Sequence, residues 1–164
     1  MINISFIGMA ACGKSTIGKA VAHKIGVSFV DTDLLIEQKH EATLEEIKKK
    51  YDYKFVRDEE EKVILDLNSS NKIISTGGSA IYSAKSMEHL KKFSKVIYIN
   101  TPLEIIIQRI DTGQKRGLAV PEGMSIPEIY SEREPLYQKY CEIILDGSKT
   151  IDQLVDETIK QLHE

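Results

Sequence analysis

Tryptophan is absent from the 164 residues, and the chain holds only two cysteines and four prolines. Cys12 and Cys141 cannot build a disulfide framework, which fits a reducing compartment. The prolines are scattered, so no proline-rich linker divides the chain. Long apolar runs are missing too: the longest uncharged stretch, Met1–Gly13, stops at Lys14, short of the roughly 18 residues of a membrane span. The amino terminus has no basic region ahead of its apolar stretch and does not read as a signal peptide. Positive charge is not in excess either. Asp and Glu number 25 against 22 Lys and Arg, a net charge of −3, so bulk attraction to nucleic acid or an anionic membrane is excluded as a mode of life. The expectation is a soluble, monomeric, cytoplasmic enzyme or binding domain.

What is present is ordinary globular composition, with 41% hydrophobic and 29% charged residues. At this length folding buries roughly 70% of the unfolded chain's surface, enough for one domain with one core. Short Ile/Val-rich runs alternate with longer helical stretches, which predicts βαβ units and an α/β fold with a parallel sheet. The strands are expected at Ile2–Ile7, Val27–Val30, Lys72–Ser75, Val96–Ile99 and Glu142–Leu145. Thr43–Glu46, Thr101–Glu104 and Thr150–Gln153 each read as a capping box that opens a helix, the second with Pro102 at its first position. Between Asp111 and Ser125 apolar periodicity fails, and Gly113, Gly117, Pro121 and Gly123 cluster there. A long irregular segment of this kind reads as a lid or binding loop, here about residues 112–124.

The sharpest motif is Gly8-Met-Ala-Ala-Cys-Gly13-Lys14-Ser15, a complete G-x-x-x-x-G-K-S between an expected strand and an expected helix. Glycines let backbone N–H groups curl around phosphate oxygens, and the helix amino terminus adds its positive dipole end. Gly8, Ala11, Cys12, Gly13, Lys14, Ser15 and Thr16 form the expected site for ATP. Lys14 reaches the β and γ phosphates, and the Ser15 hydroxyl ligates Mg²⁺. Next, Asp31 and Asp33 leave the end of the second strand one residue apart, at the crevice where open α/β sheets bind ligands. One carboxylate can serve the Mg²⁺ shell while the other orients an acceptor hydroxyl or takes its proton. Asp31 or Thr32 can also cap the following helix.

With these motifs in place the chain resembles the shikimate kinase family nearly end to end. The likeness is carried by the phosphate loop, Asp31-Thr-Asp33, Gly77-Gly78, Arg116 and Arg133-Glu-Pro135-Leu-Tyr137. The resemblance implies a three-layer α/β/α P-loop kinase of the nucleoside-monophosphate-kinase type, with a five-stranded parallel sheet and a lid. It implies transfer of the ATP γ-phosphate to the 3-hydroxyl of shikimate. Asp33 would contact the acceptor hydroxyls as base and Asp31 would support Mg²⁺. Gly77 and Gly78 would offer backbone donors, Arg133 would grip the acceptor carboxylate, Arg116 would fold over the phosphates, and Arg109 would stack on adenine.

The departures from the family pattern lie on the acceptor and lid side. Val56 stands where the family places a second arginine for the acceptor carboxylate, Ser79 replaces the third glycine, and Gly117 replaces the lid proline. Arg57, one position late and about 100° around the helix, or Lys54 one turn earlier, is left to reach the carboxylate. Ser79 brings a hydroxyl to the acceptor pocket. Two other readings stand beside shikimate: a P-loop kinase for a different hydroxylated acid, and a non-catalytic nucleotide-binding module. The pair of aspartates argues against the module, and the lack of a D-G-[FY]-P-R motif argues against a nucleotide acceptor. The four histidines have no metal-ligand spacing and read as surface residues. Lys48–Lys50 and Glu59–Glu61 read as solvated helix faces, except that Glu59 is expected to pair with Arg57 or Arg116.

Overall fold

The structure is a computed structural model that describes residues 3–68, 70–112 and 118–163. Five strands form one parallel sheet: β1 (Asn3–Ile7), β2 (Ser28–Asp31), β3 (Lys72–Ser75), β4 (Lys95–Asn100) and β5 (Ile143–Asp146), in the order β2-β3-β1-β4-β5. Each lies within a residue or two of the expected run. The central strands β1 and β3 are buried throughout, their Ile and Phe residues interleaved with the buried polar residues Asn3, Ser5, Lys72 and Ser75. The edge strands β2 and β5 keep exposed positions.

Eight helices complete the three layers: α1 (Lys14–Ile25), α2 (Thr32–His40), α3 (Leu44–Lys50), α4 (Tyr53–Leu65), α5 (Ala84–Phe93), α6 (Leu103–Asp111), α7 (Ile126–Tyr140) and α8 (Ile151–Lys160). A 3₁₀ turn spans Ala80–Tyr82. Helix α1 packs on β3 and α8, while α5 and α7 pack on β4. The main core, built on Ile4, Phe6, Ile7, Ile73, Ile74 and Val96–Ile99, fills the sheet faces. A second apolar cluster of Ile36, Leu44, Ile47, Val56 and Ala119 ties α2, α3 and α4 to the segment that follows residue 117.

Two of the three capping boxes form as read, at Thr43 with Glu46 and at Thr150 with Gln153, each contributing about 1 kcal/mol. The third does not. Pro102 is still extended (φ −53, ψ 140), so α6 starts one residue later with Pro102 as its cap. Thr101 Oγ1 instead donates to the Cys12 carbonyl at 2.9 Å, which ties the end of β4 to the phosphate loop.

The chain leaves β1 for β2 and β3 on one side, then crosses over β1 to reach β4. Strand order therefore reverses at β1, and the carboxyl ends around it form the crevice where such sheets bind ligands. The register brings Asp31 beside Ser75, and Ser75 beside Phe6.

Candidate active site

The phosphate loop is held in a shape that constrains its residues. Gly8 lies at φ 149 and Gly13 at φ 107. A Cβ on Gly8 would stand 2.8 Å from Cys12 Sγ and 2.9 Å from the Ile99 carbonyl, so only glycine fits. Ala11 takes φ 63 without being glycine, which costs about 1–2 kcal/mol that the surrounding contacts must offset. Arg109 Nη1 donates to the Ala11 carbonyl at 2.9 Å and so helps to hold that residue. Lys14 is buried; its Nζ donates to the carbonyls of Gly8 at 2.7 Å and Met9 at 2.8 Å. Cys12 is a small buried loop residue.

The loop opens into a cleft of about 290 Å³ lined by Ala11 through Ile17, Arg109, Gly147, Lys149, Ile151 and Leu154. Of the residues expected to bind ATP, Ala11 through Thr16 and Arg109 line it and Gly8 does not, which leaves Arg116. That residue, with Gly113 and Gly117, lies outside the described residues.

At the cleft's inner end Ser15 Oγ donates to Asp31 Oδ2 at 2.7 Å and lies 3.1 Å from Ser75 Oγ. Asp31 Oδ1 accepts from the N–H groups of Asp33 and Leu34, so Asp31 caps α2 with one oxygen and faces Ser15 with the other. Among the described residues no group of three or more His, Cys, Asp or Glu gathers. A hydroxyl and one carboxylate are hard oxygen donors of the kind Mg²⁺ uses when waters and substrate phosphates complete its shell, so the residues present fit that ion.

Beyond Lys14 lies a second, smaller cavity of about 30 Å³, whose wall includes Asp33, Val56, Glu60, Gly78, Ser79 and Arg133. Lys14 lines both spaces. Asp33 Oδ1 and Glu60 Oε1 come so near Gly77 that a Cβ there would stand 2.5 Å from each. A Cβ on Gly78 would likewise stand 2.6 Å from Arg133 Nη1. Arg133, on α7, is 1% exposed, and its Nη2 has no hydrogen-bond partner among the described residues. Tyr137, one helical turn on, donates to the Gly78 carbonyl at 2.6 Å and fixes the loop against α7.

One member of this cavity wall departs from expectation. Glu60 is 2% exposed rather than solvated. Val56 faces the cavity, and a residue four positions on shares its helix face; Glu60 is therefore carried inward. Its Oε2 accepts from Ser79 Oγ at 2.6 Å and its Oε1 from Thr32 Oγ1 at 3.4 Å. Burial pushes its carboxyl above the ordinary value, opposed by hydrogen bonds from Ser79 and the Gly77 N–H and by the charges of Arg133 and Lys14. No spacing within the Glu59–Glu61 run marks which glutamate turns inward.

Arg57 does not line this cavity. Its Nε donates to the Ala119 carbonyl at 2.8 Å, and its guanidinium lies 3.8 Å from the Tyr82 ring centroid, in a neighbouring pocket that shares Glu60 and Ser79. Lys54 is exposed. Glu59 pairs with Lys39, His40 and Lys62, at 2.9, 2.7 and 2.8 Å, and not with Arg57. Burial opposes its charge, but those three hydrogen bonds hold its pKa down at about 2. His40 is thus a linker between α2 and α4, and His89 bonds the Leu67 carbonyl at 2.8 Å; neither is a free surface histidine.

The family model described as shikimate kinase matches residues 10–163. A shikimate kinase of Clostridium botulinum (strain Eklund 17B / Type B) is 36% identical over 157 residues, 96% of this chain and 94% of that protein. One from Persephonella marina is 31% identical over 163 residues, 99% of each chain. Among solved structures, the shikimate kinase of Acinetobacter baumannii in complex with shikimate superposes with a TM-score of 0.85 at 29% identity, covering 98% of this chain and 92% of that one.

Proposed function

Because the chain belongs to the shikimate kinase family, we propose that it transfers the γ-phosphate of MgATP to the 3-hydroxyl of shikimate. The observation that carries this reading is the shared position of Lys14, which lines both the nucleotide cleft and the cavity of Asp33 and Arg133. A phosphate held by Lys14 therefore faces whatever occupies the second cavity. Phosphoryl transfer asks the protein mainly for positioning and charge neutralisation, and the two spaces divide that work.

On the nucleotide side, the loop N–H groups and Lys14 cradle the phosphates while Arg109 flanks the base end of the cleft. Ser15 and Asp31 would hold Mg²⁺, which would supply further charge neutralisation. On the acceptor side, Arg133 offers its unpartnered Nη2 to the acceptor carboxylate, and the Gly77–Gly78 backbone approaches the ring. Asp33 accepts the hydroxyl proton as the acceptor oxygen bonds to the γ phosphorus and the bridging oxygen leaves with ADP. Arg116 keeps the phosphate-covering role that the resemblance gives it.

The acceptor cavity of about 30 Å³ holds little more than a water molecule. Leu118 and Ala119, which wall it, must therefore move outward to admit a ring. We take the chain to work as a single cytoplasmic domain and monomer, with no nucleic-acid partner; its net charge of −3 and two free thiols support that setting. Among the described residues no helix is long and apolar enough to cross a membrane. Phosphorus-31 NMR of the reaction mixture tests the reading. A new phosphomonoester signal coupled to the shikimate H3 proton supports it, and its absence while ATP binds refutes it.

A further inference from the structure

Val56 stands where the family places a second carboxylate-binding arginine, and among the described residues Arg133 is the arginine that lines the acceptor cavity, with one nitrogen open. The residue that holds Arg133 there is outside every motif: Tyr82, at the end of the 3₁₀ turn that follows Gly77–Ser79. Its hydroxyl donates to Glu132 Oε1 at 2.5 Å. A carboxylate only accepts, so the phenol's single proton is committed to Glu132, and its lone pairs are left to face Arg133 Nε, 3.4 Å away. The ring also carries Arg57, 3.8 Å from its centroid, while Arg133 lies 5.5 Å from it. Two guanidiniums that repel each other are thus gathered on one aromatic ring. Burial lowers the Arg57 pKa from its ordinary value, Tyr82 opposes this, and the Arg133 charge lowers it further.

We propose that Tyr82 is a positioning residue for acceptor recognition: it aims Arg133 at the acceptor carboxylate and parks Arg57 beside it as a second, non-contacting positive charge. In this arrangement Arg57 compensates for Val56 through the local field and not by touching the acceptor, which agrees with its absence from the cavity wall. The inference rests on the acceptor reading above.

The test is steady-state kinetics of Tyr82→Phe and Tyr82→Ala with shikimate and with its uncharged carboxamide. Tyr82→Phe keeps the ring and loses the hydroxyl, so the shikimate KM should rise about 3–10-fold. Tyr82→Ala also frees Arg57 and should raise it about 10–50-fold. In both, kcat and the ATP KM should stay within about twofold, as expected when only ground-state binding of the acceptor is lost. The carboxamide KM should not change, since the charge being recognised is gone. An equal penalty on shikimate and carboxamide, a raised ATP KM or no change at all overturns the proposal. If Tyr82→Ala does not fold, Tyr82→Phe decides alone. If the wild type fails to turn over shikimate, the acceptor reading falls first and this inference falls with it.

Discussion

Replacing Arg133 by methionine should make the protein more stable and far less active. Arg133 is 1% exposed with one nitrogen unpartnered among the described residues, and its Nε bond to the Tyr82 hydroxyl is long at 3.4 Å. A buried cation satisfied that poorly costs several kcal/mol of desolvation, and replacement by an apolar side chain of similar volume is often stabilising by about 1–4 kcal/mol. One term opposes this: Glu60 loses a neighbouring positive charge. Its carboxyl is already pushed upward by burial, and losing that charge moves it further in the same direction, which limits the opposing cost. The net expectation for Arg133→Met is a gain of about 1–2 kcal/mol, or roughly 2–8 °C in Tm for a chain of this size. The same change removes a charge-assisted hydrogen bond to the acceptor carboxylate. The shikimate KM should rise by about two orders of magnitude, with the ATP KM nearly unchanged. Urea melts give the first quantity and initial rates the second. A variant destabilised by more than about 1 kcal/mol, or one with unaltered shikimate KM, refutes the idea that Arg133 is held strained for an anion.

Lys14→Ala should cut kcat by about a thousandfold or more with circular dichroism unchanged, because the lysine acts on developing phosphate charge while its loop is held by Gly8, Thr101 and Arg109; wild-type rates with the fold intact refute the phosphate-loop assignment. Gly77→Ala forces a Cβ to 2.5 Å from both Asp33 and Glu60 and should lower kcat about 10–100-fold while costing about 1–3 kcal/mol of stability; normal kinetics would show that the two carboxylates do not flank the reacting hydroxyl. Glu59 is depressed from 4.5 to about 2 by Lys62, Lys39 and His40, so it contributes stability that is present above pH 4.5 and lost as pH falls toward 2. Glu59→Gln should flatten the acid limb of a stability–pH curve, and an unchanged limb contradicts the pairing.

What the sequence made legible was whatever local chemistry decides. The phosphate loop follows from glycines, Lys14 and Ser15 in a fixed strand-to-helix context, and each strand was found to within a residue or two because apolar β-branched runs have few other fates. Thr43 and Thr150 cap their helices because both members of each box are local. Thr101 failed because Pro102 stays extended, and the hydroxyl found a partner 89 residues away in Cys12. Glu60 failed for a related reason. In a run of three glutamates, only the phase of α4 against Ser79 and Thr32 decides which side chain is buried, and that phase is tertiary information. Arg57 is the mirror case, since its destination depends on Ala119 and Tyr82, which no spacing within α4 encodes.

The central claim is tested most directly by ADP release from MgATP, measured on the purified protein with and without millimolar shikimate. The account predicts slow background release alone and robust release with shikimate, saturating at submillimolar concentration because Arg133 stands ready for its carboxylate. Background release at every shikimate concentration, from protein that still binds ATP, would contradict it.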